Sequence, residues 1–418
     1  MKTLFTYMLL LSTLAVAATS CDDEPVYAVP ENAADITISI KTTATPKLLD
    51  DGSLVAFTPH NGDSKPPYDI IRISKDGTVT STTIDPGYEI TADIAEGVIS
   101  SIQLADGNIV MGYCSAQYGC YIIYVISKAG DLIYSNVVNN IEDYMSPQAW
   151  TPLPDGGFAL ILGENNTSLG YYWTETNLGI TTFDSKGNIK KEITIPSPSN
   201  EPIKIDCARL VGENIMLFCR TYYGLYQPKI KTFVLSPEDG ASLGSNELYL
   251  DYNNSVLCRS FGDHVYISEQ KLDTHETKVT QLDALGNKVF STILDMYPLH
   301  NISEIDGKAI FAGIKPLKDC EYFYTFPAGV DLFMRPYIKS IKARIITMDA
   351  ANGRNPETID LSYDGGMMLY GVASDGSDGY HVYLSRILPS EVNDVEYLFH
   401  DNIHIYHTKD LHKLQIEQ

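Results

Sequence analysis

The sequence predicts an all-β chain built as one ring of about seven four-stranded antiparallel sheets. Three observations predict it: a short hairpin turned on glycine recurs along the chain, a second hairpin separates successive copies, and the spacing fills most of the length. The first hairpin occupies residues 49–55 around Gly52, 104–110 around Gly107, 153–159 around Gly156 and 210–216 around Gly212. It returns at 261–265 around Gly262, 305–309 around Gly307 and 363–367 around Gly365. Successive marker glycines are about 52 residues apart, the span of one small-sheet repeat.

The second hairpin is read at residues 73–79 around Gly77, 126–132 around Gly130 and 183–189 around Gly187. It continues at 235–243 around Gly240, 282–289 around Gly286 and 348–353 ending on Gly353. Glycine supplies the positive φ that tight hairpins need, and the flanking apolar and β-branched residues supply the strands. A single twisted four-stranded sheet cannot bury both faces, whereas a ring of such sheets stacked face to face can, so the pattern predicts a single β-propeller. Seven blades is the count, with six or eight as alternatives; no Trp-Asp or kelch signature names a subfamily, and a pair of β-sandwiches is the competing architecture. The seventh unit lacks a clear second turn after residues 381–387, and residues 36–40 near the N-terminus could supply its missing outer strand. Closure of that kind protects a sheet edge.

The expected organisation is a leader over 1–20, an acidic linker over 21–34, the ring over 35–398 and a solvated tail over 399–418. Lys2 precedes an apolar run over 4–17, a charged n-region followed by an h-region too short to span a bilayer comfortably. Ala18, Thr19, Ser20 and Cys21 resemble the lipobox of bacterial lipoproteins, departing from it where Ala18 replaces the usual Leu. Asp22, Asp23, Glu24 and Pro25 resemble the acidic export tag of surface lipoproteins of the Bacteroidota type. The resemblance implies a lipidated Cys21, anchoring in the outer membrane and display at the cell surface; an acidic linker on a periplasmic lipoprotein is the alternative.

With 53 acidic against 30 basic residues and a formal charge of −23, a nucleic-acid partner is disfavoured, because neutralising phosphates requires clustered Lys and Arg. The membrane partner is expected through the lipid alone. Six further cysteines allow disulfides without requiring them, and Cys114 with Cys120, which bracket a short loop, is the candidate pair; buried free thiols are the alternative for all six.

In a propeller, the turns inside the hairpins lie on one face and the remaining connections on the other. The second set is long and rich in aromatic residues: Tyr113, Gln117 and Tyr118; Tyr171, Tyr172 and Trp173; Arg220, Tyr222, Tyr223 and Tyr226; Tyr322, Tyr324 and Arg335 within residues 315–337; and Asp375, Asp378 and Tyr380. Rings interleaved with amides, carboxylates and Arg suit a glycan, whose C–H faces pack on rings while its hydroxyls take polar partners. They also suit a protein interface, where Tyr, Trp and Arg are the usual anchors, and mutual packing of the loops is the third reading.

Catalytic and cofactor motifs are missing: there is no His-Glu-x-x-His, phosphate loop, Gly-x-Gly-x-x-Gly or Cys-x-x-Cys, and no cofactor is expected. The Gly240-to-Gly244 match to Gly-x-Ser-x-Gly falls in a hairpin, where a nucleophile elbow cannot form. His400, His404, His407 and His412 cluster near the C-terminus without the spacing of a metal site. Glu164, Glu175, Glu321 and Asp331 are the carboxylates a glycosidase or lyase would draw on. The sequence therefore favours a non-catalytic binding protein for a glycan or partner protein, with a carbohydrate-active enzyme as the alternative.

Overall fold

The computed structural model describes residues 35–39, 46–60, 67–85, 100–115, 120–138, 145–164, 177–196, 203–221, 229–249, 256–271, 274, 276–297, 299–315, 322–324, 334–336, 343–361, 366–387, 402–414 and 416. They form thirty strands. After β1 (Asp35–Ser39), the first blade holds β2 (Lys47–Leu48), β3 (Leu54–Pro59), β4 (Tyr68–Ile73) and β5 (Val79–Ile84). The second holds β6 (Ser100–Gln103), β7 (Ile109–Ser115), β8 (Cys120–Ile126) and β9 (Leu132–Val138). The third holds β10 (Met145–Pro152), β11 (Phe158–Glu164), β12 (Asn177–Phe183) and β13 (Ile189–Pro196). The fourth holds β14 (Ile203–Val211), β15 (Asn214–Thr221), β16 (Lys229–Leu235) and β17 (Ser242–Tyr249). The fifth holds β18 (Val256–Phe261), β19 (His264–Lys271), β20 (Glu276–Asp283) and β21 (Lys288–Leu294). The sixth holds β22 (Leu299–Ile305), β23 (Lys308–Ile314), β26 (Ala343–Asp349) and β27 (Glu357–Leu361), with the small ribbon β24 (Tyr322–Tyr324) and β25 (Met334–Pro336) inserted between its middle strands. The seventh holds β28 (Gly366–Ser374), β29 (Tyr380–Ile387) and β30 (Asn402–Thr408), and β1 pairs with β30 as its outer strand. The chain is a seven-bladed β-propeller.

Seven apolar clusters hold the ring together, one at each junction between neighbouring blades. Phe158 stacks on Phe183 with centroids 4.6 Å apart in the cluster that joins blades two and three. The third strand of a blade is buried on both sides, as in β12, whereas the outer strand β13 is exposed along most of its length. This explains why the third strands read as continuous apolar runs and the outer ones as polar.

The glycines of the second hairpins set the blade spacing. A Cβ on Gly187 would lie 2.5 Å from the ring of Tyr134 on the preceding outer strand, and one on Gly353 would lie 2.6 Å from the ring of Phe290. The relation closes the circle, since a Cβ on Gly77 in blade one would meet Ile36 of β1 at 2.7 Å.

Two expectations change in the seventh blade. Gly365 lies outside the described residues, between β27 and β28, and the inner hairpin is turned instead at residues 375–379, where Gly376 has φ +90°. Asp375 and Asp378 therefore lie on the face of the hairpin turns, not among the variable loops. Residues 402–408, expected in a solvated tail, form β30, because Ile403 and Ile405 are required by the core between blades seven and one. The tail beyond it is packed as well: Leu411, Leu414 and Ile416 join the cluster between blades six and seven.

The pairing also orients the ends. Asp35 lies opposite Tyr406 and Ser39 opposite Asn402, so the chain enters β1 from the turn face and leaves towards the loop face. β30 runs the other way and delivers residues 409–414 to the turn face. No helix among the described residues is long and apolar enough to cross a membrane.

Candidate functional site

The two faces differ in how their polar groups are satisfied. On the turn face, Asp51, Asp76, Asp106, Asp155, Asp184, Asp239, Asp283 and Asp375 each accept a backbone N–H two residues ahead, at 2.7–3.1 Å. These carboxylates are thereby committed to their own turns. The C-terminal histidines are likewise dispersed: His404 contacts Thr37 Oγ1 at 2.9 Å, His407 contacts Asp375 at 2.8 Å and His412 contacts Glu357 at 3.1 Å. His400 lies outside the described residues. The His407 contact, with the Ser377 backbone N–H, holds the Asp375 carboxyl well below the usual carboxylate range. Burial and the nearby His407 push the His381 imidazole down. No group of three His, Cys, Asp or Glu among the described residues is arranged to hold a metal.

On the loop face, most of the expected aromatic residues, Tyr118, Tyr171, Tyr172, Trp173, Tyr222, Tyr223 and Tyr226, lie outside the described residues, as does Cys21. Arg220 is placed near the loop end of β15, opposite Lys204 and Ile230. Tyr322, Tyr324 and Arg335 are on the inserted ribbon, where Tyr322 pairs with Pro336 and Phe323 with Arg335. Cys114 pairs with Tyr121 and Cys120 with Ser115. Cys207, Cys219 and Cys258 are free thiols.

A clamp that the sequence did not disclose joins the two residues that flank the insertion. Arg344, buried at the start of β26, donates from Nε and Nη2 to the two oxygens of Asp360 at 2.6 and 3.0 Å, and from Nη1 to Asp295 at 2.6 Å. Lys315, just before the insertion, donates to the same Asp360 at 2.8 Å. One carboxylate thus ties both ends of the insertion over 316–342 to the outer strand of its blade. Burial alone would raise the Asp360 carboxyl, and the Arg344 and Lys315 hydrogen bonds override it and hold it low. Blade one has a simpler anchor, in which His60 and Thr83 share Asp69 at 2.9 and 2.6 Å.

The axial channel carries a second unforeseen pattern. Four innermost strands bulge by one residue, at Gln148 in β10, Asp206 in β14, His300 in β22 and Tyr370 in β28. Bulges re-aim side chains and are frequent beside sites. His300 Nδ1 lies 2.8 Å from the Leu369 carbonyl, and burial pushes its imidazole down towards the neutral form. Nearer the turn face, Arg259 of blade five donates from Nη2 to Asp50 of blade one at 2.9 Å. Those blades are not neighbours, so this ion pair spans the axis. No local sequence signal joins residues 209 positions apart.

No family model matches the chain, and no curated protein matches it. It is similar in structure to the hydrazine synthase of Kuenenia stuttgartiensis, at 11% identity over 71% of this chain and 78% of that one, with a TM-score of 0.43. It is similar to the β-propeller domain of the Trilobed protease from Pyrococcus furiosus, at 12% identity over 82% and 90% of the two chains, with a TM-score of 0.44. A polysaccharide lyase is similar at 9% identity over 88% and 90%, with a TM-score of 0.45. No activity passes to this chain from likenesses of that degree, and its ring rests on its own strand pairing.

Proposed function

We propose that the chain is a lipid-anchored, cell-surface binding protein that presents its loop face to a glycan, without catalysis. The observation that carries the reading is the direction of β1. A tether running from Cys21 to Asp35 reaches the ring on the turn face, so an anchor there directs the opposite face, with its aromatic loops, away from the membrane. The insertion that carries Tyr322, Tyr324 and Arg335 on its ribbon leaves and re-enters the blade at Lys315 and Arg344, which share Asp360. Aromatic rings with interspersed Arg and amides take sugar faces and hydroxyls together.

Glycan-array binding by the full chain, compared with Trp173→Ala and Tyr223→Ala, tests this function. Specific glycan signals reduced at least about tenfold by either change, a loss of about 1.4 kcal/mol, are expected. An empty array would count against the glycan and favour a partner protein on the same rings. Labelling of intact cells with a membrane-impermeant reagent, before and after Cys21→Ser, tests anchoring and display.

The bulged residues Asp206 and His300 at the channel favour a second reading, a carbohydrate-active enzyme. Release of new reducing ends or unsaturated products from a bound glycan, abolished by Asp206→Asn, would replace the binding reading.

A further inference from the structure

We infer that the turn-face end of the axial channel is a binding site for a small oxyanion, a carboxylate or phosphate, gripped by Arg259 and Arg209 and held closed by Asp50 as an internal stand-in. Arg209 and Arg259 occupy equivalent places on the adjacent innermost strands β14 and β18, each two residues before its strand ends. The Arg209 guanidinium is oriented by two backbone carbonyls, donating from Nε to Cys258 at 2.9 Å and from Nη1 to Ala208 at 2.7 Å. Neither bond neutralises its charge.

Arg259 is the more telling of the two. Its side chain is only 16% exposed, and among the described residues its carboxylate contact runs from Nη2 to one oxygen of Asp50, whose side chain is 65% exposed. Nε and Nη2 lie on the same edge of a guanidinium, the edge that receives a carboxylate or phosphate through two parallel hydrogen bonds. Here the edge is half used: Nε is buried without a hydrogen-bond partner among the described residues. A buried donor left unpaired is costly, and an incoming oxyanion satisfies it. Burial, with the neighbouring Arg209, lowers the Arg259 guanidinium, while Asp50 works against that shift. Asp206, three residues from Arg209 on the same strand, and Lys47, bonded to the Ser101 carbonyl, are other channel charges. In a chain of net charge −23, two guanidiniums on adjacent innermost strands, one of them 2.9 Å from the exposed Asp50 carboxylate, gather positive charge at this end of the channel. The oxyanion takes both N–H groups of the edge, and Asp50 swings out on its turn.

Isothermal titration of the full chain with inorganic phosphate, and separately with glucuronate, at matched ionic strength tests this site. Saturable one-to-one binding of at least one probe is expected. Asp50→Asn, which removes the competitor, should tighten it several-fold, and Arg259→Gln should weaken it at least tenfold. Arg209→Gln should weaken it to a lesser degree, with folding of each variant verified by circular dichroism. The opposite signs at the two ends of one ion pair separate a ligand site from a structural latch, whose loss on either side would leave titration unchanged. Absence of binding of both probes to the native chain and to Asp50→Asn, equal binding by Arg259→Gln, or weaker binding by Asp50→Asn would each overturn the assignment. The loop-face glycan reading is untouched by any of these outcomes.

Discussion

Blade three and blade seven are the same four-stranded sheet made in two ways. In blade three the third and fourth strands are joined by a local turn, with Phe183 opposite Ile189. In blade seven they come from opposite ends of the chain, and Thr37 bonds to His404 367 residues away. Loop closure costs about 0.6 kcal/mol per doubling of length, so the six doublings between these two cases cost about 3.5 kcal/mol. Side chains must offset that cost, and they do: Ile36 and Ile38 pack into the cluster shared by blades seven and one, and Tyr383 Oη donates to the Gly52 carbonyl across the same junction. The seam is therefore where chain-length entropy is met by packing and hydrogen bonds between the two ends of the chain.

The strongest test of the comparison is to detach the seam. Ile36→Asp combined with Ile38→Asp sets two carboxylates against that cluster and should lower stability by about 5 kcal/mol or more, seen as a collapse of the urea midpoint. An unchanged midpoint would mean that the ring does not depend on β1. In the locally built region, Phe158→Ala removes one partner of the stacked pair with Phe183 and should cost about 3–5 kcal/mol. Hydrogen exchange should then rise throughout the ring, whereas the β1 variant should release amides of β30 and β1 first; identical patterns would erase the distinction.

Smaller effects distinguish two kinds of turn. Gly187 and Gly307 both have positive φ, at 91° and 73°. A Cβ at Gly187 runs into Tyr134, while one at Gly307 meets nothing within 4 Å. Gly307→Ala should therefore cost about 1 kcal/mol for backbone strain alone, and Gly187→Ala about 2–3 kcal/mol because the neighbouring outer strand must also move. Equal losses in chemical denaturation would show that blade spacing does not depend on that glycine.

The smallest expected effect is a pH dependence of the seam. The folded-state pKa of Asp375 is depressed by His407 and by the N–H groups of Ser377 and Gly379. Its contribution is therefore present above the unfolded value of about 3.9 and is lost as pH falls from there towards the depressed value. His407, His381 and Lys75 are the titratable groups around it among the described residues. The Asp375→Asn chain should show a shallower fall in melting temperature below about pH 4 than the native chain; parallel curves would remove Asp375 from the account.

The blades were legible in the sequence because each hairpin advertises itself: an acidic or amide residue beside glycine, between apolar flanks, is a local signal. Gly77, Gly130 and Gly187 all took the positive φ expected of them. In the seventh blade residues 363–367 have the same chemistry as a hairpin, and turn chemistry does not say which face a turn occupies. Residues 402–408 resemble a tail because His404 and His407 mask the alternation of Ile403 and Ile405. The axial pair of Arg259 with Asp50 is illegible because it joins strands that only ring closure brings together, and the clamp at Asp360 because the register that sets Arg344 opposite it has no sequence signal. A charged residue on an innermost strand was the one available hint.

Asp360 has a consequence for how such a molecule changes its specificity. Because Lys315 and Arg344 meet on that one carboxylate, the segment between them begins and ends at the same point of the scaffold, like a tool head on a fixed handle. Exchange of residues 316–342 for a different insert is a graft the ring should accept without refolding, making recognition interchangeable while the support stays constant.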